Sequence, residues 1–89
     1  MVRIQRIVDR PSEITLSVEG RIVSEWVAVV EHECRQAARE TPRVQLDLAA
    51  VTFIDARGIE VLRRLVTDGV AVVNCREFIG ALLHADRDT

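Results

Sequence analysis

The sequence of 89 residues has no tyrosine, one tryptophan and two phenylalanines. A surface so poor in aromatic rings lacks the stacking platforms that single-stranded nucleic acids use. The basic residues are scattered and the formal net charge is -2, so no cationic stripe is present to follow a phosphate backbone. No apolar run is long enough to span a membrane, so no direct membrane insertion is expected. The start, Met1-Val2-Arg3-Ile4-Gln5-Arg6, alternates polar and apolar residues where a secretory signal would need a continuous apolar stretch. The expected location is the cytoplasm.

Other absences bear on chemistry. Gly20, Gly58, Gly69 and Gly80 are isolated, which excludes a glycine-rich phosphate loop. His32 and His84 lack a second ligand at helical spacing, and a metal site needs three or four converging ligands, so none is expected. Ser12, Ser17 and Ser24 have no histidine nearby, leaving a serine-nucleophile triad without support. Cys34 and Cys75 lie far apart with no C-x-x-C spacing. Each falls on the apolar side of a predicted helix and reads as a buried free thiol. For Cys75 the alternative is a reactive thiol, because it would start a helix, where the dipole lowers thiol pKa.

What the chain does contain is core material. Its apolar share is 48%, mostly Val, Ile, Leu and Ala, enough for one domain over residues 1–89. Residues 2–8 and 13–19 read as two strands joined by turn chemistry at Asp9-Arg10-Pro11-Ser12, hence an antiparallel hairpin. Ile14, Leu16 and Val18 alternate with Thr15, Ser17 and Glu19, which gives one buried and one wet face. In the first strand Arg6 falls in step with Val2 and Ile4, so a bulge near Arg6 or Ile7 is expected. Ser24 reads as the N-cap of a long helix ending near Thr41-Pro42, with Trp26, Val27, Val30, Cys34, Ala37 and Ala38 on its inner side.

Val44, Leu46 and Leu48 mark a third strand, followed by a predicted loop from Ala49 to Asp55. A second helix is expected from about Arg57 to Thr67, closed by Gly69. Ile59, Leu62, Leu65 and Val66 face inward, and Arg57, Glu60, Arg63, Arg64 and Thr67 outward, with Val61 on the rim. Residues 70–73 form a short strand. Asn74 and Glu77 then make a capping box for a last helix, with Cys75, Phe78, Ile79 and Leu82 inside. The order is ββαβαβα: an α/β fold with a mixed four-stranded sheet packed against helices, its last three strands parallel.

In such a sheet function gathers at the carboxyl ends of the parallel strands. That edge holds Asp47 and the run from Val51 to Gly58. Asp47 can serve merely to bond loop amides, and Asp55 merely to cap the second helix. Arg57, in the first helical turn, is disfavoured by the helix dipole by a few tenths to about 1 kcal/mol. It either points into water, pairs with Asp55 or Glu60, or meets an acidic partner or an anion.

The run Val44-Gln45-Leu46-Asp47-Leu48-Ala49-Ala50-Val51-Thr52-Phe53-Ile54-Asp55-Ala56-Arg57-Gly58-Ile59 resembles the signature of STAS domains. These include bacterial anti-sigma-factor antagonists and STAS subunits of lipid-transport ABC systems. The sharp part covers about sixteen residues, and the order of elements covers nearly the whole chain. The resemblance implies a single STAS-like domain with no cofactor and no enzymatic activity. The partner-binding edge is expected at Asp55, Ala56, Arg57, Gly58, Glu60, Val61 and Arg64, because these residues combine the carboxyl ends of the parallel strands with the polar outer side of the second helix, and the resemblance implies partner docking at the same place. In regulated members a partner kinase, itself an anti-sigma factor, phosphorylates a Ser or Thr between the Asp and the Gly. Those positions are Ala56 and Arg57 here, and neither carries a hydroxyl. Thr52 is the only nearby alternative. The leading expectation is a protein-binding regulatory module that docks an anti-sigma factor or kinase-like regulator. The alternative is an accessory subunit that braces the ATPase of an ABC-type lipid or solvent-tolerance transporter. The first strand lies at or near a sheet edge, which leaves homodimerisation by strand pairing open.

Overall fold

The structure, a computed structural model, describes residues 2–75, without the side chain of Asp9. It contains β1 (Val2–Arg10), β2 (Glu13–Ile22), α1 (Glu25–Glu40), β3 (Arg43–Ile54), α2 (Ala56–Thr67) and β4 (Ala71–Val73). The sheet order is β1-β2-β3-β4. β1 runs antiparallel to β2, and β2, β3 and β4 are mutually parallel. The mixed sheet and the alternation of strands and helices are as expected. Asn74 and Cys75 follow β4, and the remainder of the expected last helix, with His84 and Gly80, lies outside the described residues.

The alternating apolar positions of β2 and β3 form the core. Ile14, Leu16, Val18, Val44, Leu46 and Leu48 are buried, while Thr15, Ser17, Gln45 and Asp47 between them are only half-buried. α1 covers this face with Val27, Val30, Cys34 and Ala37. Trp26 is half-buried at its rim, and Ala38, expected inside, is exposed. α2 adds Ile59, Val61, Leu62 and Leu65, with Val66 half-buried. Its end is a Schellman motif: Gly69 at φ 107 donates to Val66 O at 3.0 Å, and Val70 donates to Leu65 O at 3.0 Å.

Three further local expectations need correction. β3 does not give way to a loop at Ala49 but continues to Ile54. Opposite β2 it carries an extra residue twice, between Asp47 and Ala50 and again between Val51 and Phe53. Each insertion resets the alternation, so burial falls on Leu48, Val51 and Ile54, a spacing of three that hides the strand from a two-residue pattern. Asp47 Oδ1 accepts the Ala49 N–H at 3.0 Å, so it serves a backbone amide within the irregular strand.

β1 pairs with β2 without interruption past Arg6 and Ile7, and its irregularity falls between Val8 and Arg10. Arg6 stays in step with Val2 and Ile4 because it lies at the sheet edge. From there its guanidinium reaches the surface and grips both carboxylate oxygens of Glu40, at 3.1 and 2.7 Å. The third correction concerns Ser24: it occupies the N-cap position of α1, but its side chain caps nothing.

Cys34 has no exposed surface, and burial pushes its thiol up to about 12. A protonated, enclosed thiol is inert at neutral pH. Cys75 is only half-buried. A thiol reagent should therefore modify Cys75 in the native protein and reach Cys34 only after denaturation. Native labelling of both at similar rates, read by mass spectrometry, would contradict this packing. Among the described residues no helix is long and apolar enough to cross a membrane.

Candidate protein-docking edge

β2 and β3 end side by side at Ile22 and Ile54. Here β2 turns into α1 through Val23 and Ser24, and β3 passes directly into α2 through Asp55. Asp55 links these two connections. Its N–H donates to Ile22 O at 3.1 Å, and its carbonyl accepts the Ile59 N–H at 2.9 Å. In the extended N-cap conformation its Oδ1 accepts the Gly58 N–H at 2.8 Å. Its Oδ2 accepts the Ser24 N–H at 2.9 Å. The helix cap expected of Asp55 is present, and the bond to Ser24 is an addition that no sequence pattern announces.

That second bond falls on a strained residue. Trp26 N–H donates to Val23 O at 3.0 Å, which closes a four-residue turn with Ser24 at its first corner. Ser24 has φ 51 and ψ -126, the type II′ corner geometry that glycine adopts most readily. The Asp55 carboxylate holds the backbone of this corner in place.

The N–H groups of Ser24 and then Gly58 hold the Asp55 carboxyl below the ordinary aspartate value of 3.8, with Arg57 adding a smaller attraction and desolvation opposing. A depressed folded-state pKa contributes stability that is fully present above the unfolded value and is lost as pH falls through the folded value. The Asp55 contribution is therefore complete at neutral pH and disappears only below about 3.8. Asp55→Asn should lower the melting temperature at pH 7 and flatten its decline in that acidic window. An equal deficit of the variant at every pH would show that the ionised carboxylate is not the stabilising form.

Gly58 is fixed by close approach. A Cβ placed on it would lie 2.7 Å from Ile54 Cγ2, 3.1 Å from Ile22 O and 3.2 Å from Asp55 Oδ1. The first turn of α2 is thus pressed onto the strand ends.

The structure divides the seven expected edge residues into two groups. Ala56, Arg57, Glu60 and Arg64 are exposed, and Asp55 is half-buried, its carboxylate turned to backbone amides. Gly58 and Val61 are buried, Val61 to 3% exposure, so they shape the edge from beneath and offer it no contact surface. Val61 was expected on the rim; the close seat of α2 turns it inward. Arg57 forms no ion pair with either Asp55 or Glu60. His32 is exposed, and among the described residues no three His, Cys, Asp or Glu side chains gather to hold a metal.

The expected loop assignment concealed Phe53. It stands beside Arg21 in the parallel register, 44% exposed, with the guanidinium 5.3 Å from its ring centroid. The available signal was an aromatic residue two places before Asp55 in a chain with few aromatics. Thr52, also exposed, donates its hydroxyl to Gly20 O at 3.3 Å. Two open cavities of about 230 and 170 Å³ meet around Pro42, Val44 and Gly69, at the opposite end of the strands.

No protein-family model matches the sequence, and no curated protein does. Solved structures do match. The anti-sigma factor antagonist SpoIIAA in its unphosphorylated form superposes with TM-score 0.70 at 11% identity, over 92% of this chain and 82% of that one. An anti-sigma factor antagonist from Mycobacterium paratuberculosis gives TM-score 0.65 at 22% identity, over 81% of this chain and 66% of that one. The STAS domain of an antisigma-factor antagonist from Rhodobacter sphaeroides gives 0.59 at 20% identity, over 82% and 86%. The chain has a STAS-like fold. Within this STAS-like domain the Asp55–Gly58 turn is the junction between the central strand β3 and α2, the place the sequence signature marks.

Proposed function

We propose that this STAS-like chain is a non-enzymatic, protein-binding regulatory module resembling an anti-sigma-factor antagonist. It docks a partner protein through the edge bearing Asp55, Ala56, Arg57, Glu60 and Arg64. The observation that carries this reading is the double anchoring of Asp55. The carboxylate is spent on the amides of Ser24 and Gly58, and the residues it positions project outward from a rigid helix start. A fixed, exposed edge loses little conformational entropy on docking. The likeness in fold to three antagonists supports the partner class. The exposed charges of the α2 face, Arg57 and Arg64 against Glu60, favour an acidic partner surface and faster encounter at low salt.

The edge works without a phosphate switch. Alanine offers nothing to phosphorylate, and Arg57 is a fixed positive charge that cannot imitate a phosphoserine.

The test is calorimetric affinity for the anti-sigma-factor kinases of the source organism at two salt concentrations. Arg57→Glu with Arg64→Glu should weaken binding by at least about tenfold, with little change in melting temperature. The control pair is Gln36→Glu with Arg39→Glu, on the exposed side of α1. Arg35 is unsuitable as a control because it bonds Asp68 at 2.7 Å and so ties α1 to the end of α2. Loss of binding in the control pair alone would place the surface elsewhere. Binding by none of the kinases, or stoichiometric phosphate on Thr52, would sink the unswitched-antagonist reading.

A further inference from the structure

The outer edge of β1 has features of an interface that do not depend on the α2 edge. Among the described residues β1 pairs only with β2, and its pairing is regular over Val2–Val8. Natural edge strands are usually guarded by proline, by a bulge, or by a charge on the inward face. In β1 the irregularity and Pro11 come only after Val8, so the regular stretch has neither. Its inward-facing charge is Arg6, opposite Leu16 in the register, and Glu40 neutralises it through both guanidinium nitrogens. The guard is cancelled within the chain. Two of the four large apolar side chains exposed among the described residues lie on this strand, Val8 at 61% and Ile7 at 38%.

We infer that β1 is a self-pairing surface, on which a second copy of this chain adds its own β1 antiparallel across a two-fold axis to give one continuous sheet. The register follows from the faces. Val2, Ile4, Arg6 and Val8 stand opposite Gly20, Val18, Leu16 and Ile14 on the helix-covered face, and Arg3, Gln5 and Ile7 lie on the other. A two-fold axis perpendicular to the sheet keeps each set on its own face, so helix-side residues meet helix-side residues. Centring the pair on Gln5 uses the whole regular stretch. Val2 then covers Val8 of the second copy, Ile4 meets the aliphatic stem of Arg6, Arg3 meets Ile7, and Gln5 meets itself. No two arginines stand opposite each other. Centring on Arg6 instead would oppose two like charges and carry the pairing past the irregularity after Val8. A strand pair of this length makes a small interface, so the dimer is weak and reversible.

Sedimentation equilibrium of the full chain should show a monomer–dimer equilibrium that shifts with concentration. Val8→Lys, at an exposed position that leaves the fold intact by circular dichroism, should weaken it by roughly tenfold or more. Phe53→Ser, which removes an exposed apolar side chain away from β1, should leave it unchanged. Gln5→Cys in a Cys75→Ser background should oxidise to a covalent dimer through the two-fold axis. A monomer at every concentration would overturn the inference. So would a dimer indifferent to Val8→Lys, one broken by Phe53→Ser, or a Gln5→Cys chain that stays reduced under mild oxidation.

Discussion

Leu62→Ala should lower the free energy of unfolding by about 2–5 kcal/mol. Leu62 is 1% exposed and lies on the buried side of α2, with Ile59 and Leu65 one turn away on either side. Removing most of its side chain forfeits the transfer term and leaves a void beneath a helix that cannot settle further. The first turn of α2 already meets Ile54 and Ile22 at contact distance. A domain of this size is stable by only about 4–13 kcal/mol, so the loss is a large share of the total. Urea denaturation should show a lower midpoint with an unchanged slope. Glu60→Ala, on the exposed side of the same helix, should stay within about 0.5 kcal/mol. Comparable effects at the two positions would mean that the helix is rotated from the orientation described, and that its outward residues are different ones.

Gly58→Ala carries the next largest expectation, and two effects of opposite sign compete in it. Alanine is favoured over glycine within a helix by about 1 kcal/mol. Against this, the new methyl would come within 2.7 Å of Ile54 Cγ2, a branched core side chain with little freedom, and 3.1 Å of a backbone oxygen. Overpacking of this kind costs typically about 1–3 kcal/mol. Steric cost should win, giving net destabilisation of up to about 2 kcal/mol together with an outward shift of the α2 start. The proposed partner edge depends on that start, so partner affinity should fall as well. Stabilisation by the substitution would show that the contact between α2 and the strand ends is looser than described.

The legible parts of this fold are those in which each residue's environment follows from its neighbours along the chain. β2 and the first half of β3 alternate cleanly, and most of the inward sets of α1 and α2 repeat at helical spacing, so their existence and most of their inner faces, Ala38 and Val61 apart, can be read directly. The second half of β3 cannot be, since two inserted residues convert alternation into a spacing of three. The sequence pattern leaves Val61 on the rim because its burial depends on how closely α2 sits on the strand ends, and Gly58 sets that approach. Arg6 reads as an interruption until Glu40, at the far end of α1, supplies its partner. At the proposed docking edge, Asp55 and Gly58 stand out through the motif they share, and the cap from Asp55 to Gly58 is local enough to anticipate. The bond from Ser24 to Asp55 spans 31 residues and exists only once both connections have come together.

That bond makes the contributions of positions 24 and 55 inseparable. With serine at the turn, the carboxylate steadies a corner that an L side chain resists. With glycine there, the corner would relax unaided and the second carboxylate oxygen would have less to hold. Ser24→Gly and a substitution of Asp55 are therefore expected to combine non-additively, the loss at 55 being smaller when 24 is already glycine. The tolerance of the proposed docking edge to change is in this sense set partly at the start of α1, by a residue that need not itself touch a partner.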